Sequence, residues 1–316
     1  MNIFWSNFWL CLSAVLPIFI ILLIGYAAKR FHIIKEENVA PFNKVVFHVF
    51  FGFMCFNNIY KSDLSAAIRP KTLLFCGIGI FLVFALSLGY SLLFVKDRNQ
   101  KGVVTQGLFR SNFNVVGLPI IAGLTGDSTL SAAAIVGGLT VITFNTLAVI
   151  TLTLFNGKKL QIGKLLLSIV TNPLIIGSTL GLLFLLLGIK LPKVLESTVS
   201  MMAGVTSPLM LFLLGAFFRF GNVRNHFKPL LATVLGRLVI IPLLIVLPAL
   251  LLGFRGDDFI TILIVFATPG AVAGFTMVQQ MGGDADLAGD IVVFTSFLCP
   301  FTIFALSFIA KTLGYF

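Results

Sequence analysis

The chain alternates long apolar runs with short polar clusters. A helix needs about 20 mostly apolar residues to cross a bilayer. Ten segments approach that length: 9–28, 38–60, 71–95, 103–124, 129–155, 163–187, 196–218, 229–252, 258–281 and 286–310. Continuous apolar stretches such as 180–187 lack the two-residue alternation of a membrane β-barrel strand. The pattern predicts an all-α integral membrane protein of ten transmembrane helices, joined by short connections that leave no extramembrane domain. The first run has no Lys or Arg ahead of it and is long for the apolar core of a signal peptide. It therefore reads as the first membrane helix.

Internal similarity divides the chain into two. The spacing that takes Pro17 to Pro173 also takes Gly25 to Gly181. It carries Gly52-Phe53-Met54-Cys55-Phe56 onto Pro208-Leu209-Met210-Leu211-Phe212, with Met and Phe matched. A spacing one residue longer takes Gly126-Asp127 to Gly283-Asp284. Order and near-constant spacing together predict two five-helix halves, 1–156 and 157–316. Because five is odd, the second half enters the membrane from the opposite face. Such inverted repeats are common in secondary transporters and offer a route to alternating access. Lysines and arginines fall mostly in the loops of one side, among them Lys29, Arg30, Lys96, Arg98, Lys158, Lys159, Arg219 and Arg224. By the positive-inside rule, that bias places both termini outside the cell membrane.

Composition narrows the function. Charged residues are 10% of the 316 and hydrophobic ones 58%, whereas soluble domains carry about 25% charged residues. The net charge of +11 would suggest nucleic acid in a soluble protein. Here the basic clusters lie between apolar runs, so membrane lipids rather than nucleic acid are the expected partners. Cys11, Cys55, Cys76 and Cys299 form no CxxC pair, and no disulfide framework or metal site is expected. His32, His48 and His226 show no HExxH pattern, and there is no GxSxG or Walker sequence. No catalytic residue, cofactor or ATP-driven step is expected.

Candidate chemistry concentrates in the fourth and ninth helices. Gly117-Leu118-Pro119 and Thr268-Pro269-Gly270 each put proline beside glycine near mid-helix. Proline removes a backbone hydrogen bond, and in lipid the freed groups must find partners in protein, water or ligand. Paired breaks point to a transporter site, so Gly117, Pro119, Thr268, Pro269 and Gly270 are candidates. Asn112 and Asn114 precede the first break; their amides would bind substrate or bond to neighbouring helices. Arg110, Arg237 and Lys44 are charges within apolar sequence. Arg110, close to a helix start, reads as snorkelling to the interface. Arg237 is a candidate to grip a carboxylate. No acidic residue falls clearly at a midplane position, Asp290 near the start of helix 10 being the nearest approach. Cation exchange is thereby disfavoured and an anionic substrate favoured. A non-transporting ligand sensor or accessory subunit is the alternative.

With these residues in view, the chain resembles the auxin efflux carrier family in its bacterial branch. The likeness rests on the run from Arg110-Ser111-Asn112-Phe113-Asn114 through Gly117-Leu118-Pro119-Ile120. It also rests on Asn172-Pro173, on Pro208-Leu209-Met210-Leu211-Phe212-Leu213-Leu214-Gly215, and on Ala267-Thr268-Pro269-Gly270-Ala271. The resemblance implies a scaffold domain and a transport domain, with broken helices 4 and 9 crossing at the substrate. It implies a small organic anion such as malate or malonate as cargo, Asn112 as the crossover asparagine, and a homodimer formed through the scaffold. Gly52 departs from the family, which often has proline there, and Thr268 stands where the plant carriers lead one to expect an amide nearby.

Overall fold

A computed structural model of the chain describes residues 3–61, 69–125, 127–155, 167 and 170–316. The predicted connection between helices 5 and 6, with Lys158 and Lys159, lies outside the described residues, as do Lys164, Asp63 and Gly126. Among the described residues all regular structure is helical. The elements are α1 (Ile3–Arg30), α2 (Glu36–Val45), α3 (Phe51–Tyr60), α4 (Pro70–Phe94), α5 (Arg98–Phe109), α6 (Leu118–Thr125) and α7 (Asp127–Phe155). After the break in description come α8 (Pro173–Leu186), α9 (Lys193–Phe217), α10 (Phe227–Leu235), α11 (Ile241–Leu251), α12 (Gly256–Ala267), α13 (Val272–Met281) and α14 (Ala285–Thr312). Among the described residues, six helical stretches are long and apolar enough to cross a membrane: Glu37–Tyr60, Pro70–Phe94, Ala133–Phe155, Lys193–Phe217, Val223–Leu251 and Ala285–Thr312. Large apolar side chains such as Leu74, Ile78, Phe81 and Leu93 lie exposed along α4, as a lipid-facing surface requires.

Local chemistry sets the helix starts. Asp97, Asn172 and Asp284 each accept a hydrogen bond from a first-turn N–H, of Asn99, Leu174 and Leu287 respectively, which satisfies donors that a helix leaves free. Pro70 and Pro173 sit at the first helical position, where proline's missing N–H costs nothing.

Three π turns, Val46–Phe50, Phe113–Gly117 and Gly236–Ile240, interrupt otherwise helical runs. The last two each end two residues before a proline, Pro119 and Pro242. A proline ring clashes with the carbonyl four residues back. In these turns Leu118 and Ile241 bond five residues back, to Phe113 and Gly236, and the widened turn relieves the clash. Gly52 holds the corresponding place after the first π turn.

Packing pairs the helices in a recurring way. α1 lies against α9, and α3 against α8. Both contacts bring backbone to backbone: a Cβ on Gly25 would lie 2.0 Å from the Phe212 carbonyl oxygen, and one on Gly215 2.0 Å from that of Leu22. Across the other seam, a Cβ on Gly177 would lie 2.2 Å from the Gly52 oxygen. Small residues at such seams let membrane helices approach closely. The remaining helices form a second group in which α4 packs on α5, α11 on α12, α6 on α7 and α13 on α14. At one end of this group Arg69 pairs with Asp257 at 3.2 Å and Asp258 at 3.1 Å, and Thr72 donates to Asp258. Partial burial disfavours the Arg69 charge, but the bonds to Asp258 and Asp257 outweigh this and raise its pKa.

Candidate functional site

Two runs stop in mid-course, and the stops touch. α5 ends at Phe109, the chain runs extended at Arg110, and helix resumes in the π turn from Phe113. α12 ends at Ala267, and α13 begins at Val272. The Asn112 N–H donates to the Pro269 carbonyl at 2.9 Å, and Ser111 and Gly270 form an isolated antiparallel bridge. Each interruption thus supplies polar backbone partners for the other, as a membrane interior demands.

The break expected at Thr268-Pro269-Gly270 is where the ninth run parts. The one expected at Gly117-Leu118-Pro119 is not where the fourth parts. Pro119 lies exposed on α6, its steric demand met by the π turn, while residues 110–112 form the gap. Gly117 gives room to Phe113 and Ile264, to which a Cβ would come within 2.6 and 2.9 Å.

Arg237 is wholly buried and spends its guanidinium on backbone. Nε donates to the Thr268 carbonyl at 2.9 Å and Nη1 to those of Leu108 and Phe109. Nη2 donates to Val265. These carbonyls belong to the last turns of α5 and α12 and the residue after α12. Helix C-termini carry partial negative charge and unpaired carbonyls, and one cation satisfies both ends at once. Its π turn lies beside α5: a Cβ on Gly236 would come 2.5 Å from a Leu108 methyl. Arg237 is therefore beneath the crossing and does not line the cavity beside it.

That cavity, roughly 640 Å³ including its open mouth, is lined by Arg110, Ser111, Asn112, Phe113 and Asn114 at one half-helix start and by Ala271, Val272 and Ala273 at the other. Met54, Cys55 and Asn58 of α3, Thr140, Phe144 and Asn145 of α7, and Ser207 and Met210 of α9 complete it. No Asp or Glu lines it among the described residues. The first N–H groups of a helix lack partners within the helix and carry partial positive charge. Two such starts face one cavity.

Arg110 does not snorkel. It is buried, with Nη2 donating to the Asn145 amide oxygen at 2.7 Å and Nη1 to that of Gln106, and the Met277 sulfur against it. Its position next to the gap, rather than in a helix running to the interface, accounts for the difference. Asn112 Nδ2, Asn114 Oδ1 and the Ser111 and Thr268 hydroxyls are buried without a hydrogen-bond partner, a costly state for protein alone. Gly137 leaves space for the Asn114 amide, which a Cβ there would meet at 2.5 Å. Gly270 donates its N–H to Thr295 on α14. The crossing thus unites Asn112, Thr268, Pro269 and Gly270, with Asn114 on the cavity wall. Asn145, Asn58 and Ser207 went unnoticed in the sequence, although Asn145 stands as an amide within an apolar run, the same signal that singled out Asn112.

A helical membrane bundle whose two interrupted helices meet beside a largely apolar cavity that holds a guanidinium and several amides has the build of a membrane transporter. The chain belongs to the family described as membrane transport protein, the auxin efflux carrier family, whose pattern matches residues 10–307. It is similar to an uncharacterized transporter of Methanothermobacter thermautotrophicus, at 25% identity over 90% of this chain and 94% of that one. The uncharacterized transporter YfdV of Escherichia coli is 21% identical over 89% of this chain and 93% of its own. Among solved structures, the sodium proton antiporter MjNhaP1 of Methanocaldococcus jannaschii shares the fold. Its TM-score is 0.58 at 14% identity, covering 97% of this chain and 99% of that one. The protein is accordingly an integral, multi-pass membrane protein.

Proposed function

We propose that this transporter carries small organic anions, of the mono- or dicarboxylate kind, by alternating access. The observation that carries the reading is the cavity itself, with two half-helix starts, the Arg110 guanidinium and unpaired amides, and no carboxylate among the described residues that line it. Oriented N–H dipoles at helix starts favour anions, and Arg237 neutralises the opposing C-terminal ends that would repel one. Asn112 and Asn114 are the proposed substrate contacts. Thr268, Pro269 and Gly270 shape the crossing, and Gly117 and Pro119 shape the half-helix that follows it. In the same reading, 1–156 and 157–316 are inverted five-helix halves of a ten-helix fold in the cell membrane, with both termini outside. The pairing of α1 with α9 and of α8 with α3 supports this, because a repeat should exchange partners in this way. The α1, α2–α3, α8 and α9 group is then the scaffold against which the crossing moves.

The test is a thermal-unfolding screen of the purified protein against mono- and dicarboxylates, followed by flux in reconstituted vesicles. A ligand that binds the folded state raises the midpoint. Asn112→Ala should abolish that shift and the flux while the protein still folds. Saturable binding without flux would favour a sensor, and no response to any carboxylate would remove the anion reading.

A further inference from the structure

We propose that His226 and Asp290 form a proton site coupled to the crossing, so that the anion moves together with a proton; the coupling, though not the site, rests on the anion reading above. Asp290 is the one buried acid among the described residues, and His226 is buried with it. The His226 Nε2 and an Asp290 carboxylate oxygen lie 2.5 Å apart, with side-chain exposures of 5% and 4%. The pair joins distant parts of the chain. His226 closes the 3₁₀ turn Phe220–His226 that leads into α10, and Asp290 stands in the second turn of α14.

That turn of α14 is wedged against the crossing. Ile291, next to Asp290, packs where a Cβ on Gly107 or Gly270 would lie, at 3.1 and 3.6 Å. Thr295, one turn on, accepts the Gly270 N–H. On the other side, a Cβ on Gly289 would come 3.1 Å from Leu214 of α9. A change in charge at Asp290 is therefore placed between the interrupted helices and the neighbouring group.

Other charges around the pair are few. Asp284 and Asp286 lie at the start of the same helix and act on Asp290. Lys29 of α1 senses Asp286 and Arg219. Arg224 and Lys228 flank His226 in sequence, α5 brings Arg98 and Lys101 in its first turn with Arg110 just past its end, and the α10–α11 run brings Arg237, bound to carbonyls. α12 brings Asp257 and Asp258, paired with Arg69, and α13 brings no charged residue.

With one proton between them, imidazole and carboxylate are neutral as a pair; without it they hold one buried negative charge. An anion entering the cavity binds better to the neutral form. By linkage, the proton binds better when the anion is present. Anion and proton then cross in the same direction, the proton offsetting one negative charge of the anion.

Two measurements test this. First, the chain has three histidines, so His226 can be followed by NMR of histidine-labelled protein in detergent, assigned with His226→Gln and with no anion present. At one fixed pH the His226 ring-nitrogen signals should be those of an imidazole hydrogen-bonded to a carboxylate, and Asp290→Asn should shift them. Unshifted signals overturn the site. Second, vesicles containing a pH dye are given a malonate gradient. Wild-type vesicles should acidify as malonate enters, and Asp290→Asn should abolish the acidification together with the pH dependence of malonate movement. Where Asp290→Asn does not fold, His226→Gln serves in its place. Unchanged acidification in the variant overturns the coupling. Shifted signals with no carboxylate transported by the wild type leave the pair standing and remove the cargo assignment.

Discussion

At the residue scale the decisive group is Arg237. A cation this buried usually calls for a carboxylate, yet it bonds to four main-chain carbonyls from two helix ends. Hydrogen bonds to charged groups contribute roughly 1.5–3 kcal/mol each, and a buried acceptor left alone costs about 1–3 kcal/mol. Arg237→Met should therefore destabilise the protein by several kcal/mol in total, read as a lower unfolding midpoint in detergent. Arg237→Lys should recover little of the loss, because an ammonium is a compact charge without the planar fork that reaches several acceptors. A midpoint unchanged by Arg237→Met would mean that the two helix ends do not depend on it.

Among the elements, two kinds of contact carry the architecture. Backbone seams join α1 to α9 and α3 to α8 at glycines that have no space for a side chain. Gly215→Ala would drive a methyl into the Leu22 carbonyl at 2.0 Å, where neither helix has a flexible side chain to yield. Overpacking in a tight interior costs about 1–3 kcal/mol, and the expected result is a lowered unfolding midpoint. Gly204→Ala, on the same helix with nothing within 4 Å of its added carbon, should not lower the midpoint, since alanine favours the helix more than glycine does. The π turns are the second kind. They let Pro119 and Pro242 sit inside long helices, which moves the fourth-helix interruption to residues 110–112, ahead of the proline that the sequence marks.

Over the whole molecule, the polar contacts between the two helix groups include a set near the end rich in lysine and arginine. Asn43 of α2 donates to Gln279 of α13, Gln280 donates to the Ala40 carbonyl, and Asn172 reaches toward Met281. The cavity wall, in contrast, runs along α3 through Met54 and Asn58, away from that contact. Access to the cavity in this conformation is expected from the less basic side. A cysteine replacing Asn58 should react with a membrane-impermeant maleimide applied from the side opposite Lys29 and Arg30. Malonate should slow that reaction if it occupies the cavity. Equal reaction from both faces would contradict a closed basic end.

The sequence by itself determined that the protein is a helical membrane protein, because apolar runs of bilayer length have no other stable solution in lipid. It also marked the two helices that break, since proline beside glycine is locally legible, while Asn112 stood out as the crossover asparagine only through resemblance to the family. Only the tertiary structure decided where the fourth helix parts, because a π turn absorbs Pro119 and no local pattern announces it. The same holds for the arginines. Arg110 and Arg237 look alike as charges in apolar sequence, and their roles depend on which carbonyls and amides distant helices bring to them. His226 and Asp290 meet across 64 residues of sequence, a pairing fixed by helix packing alone.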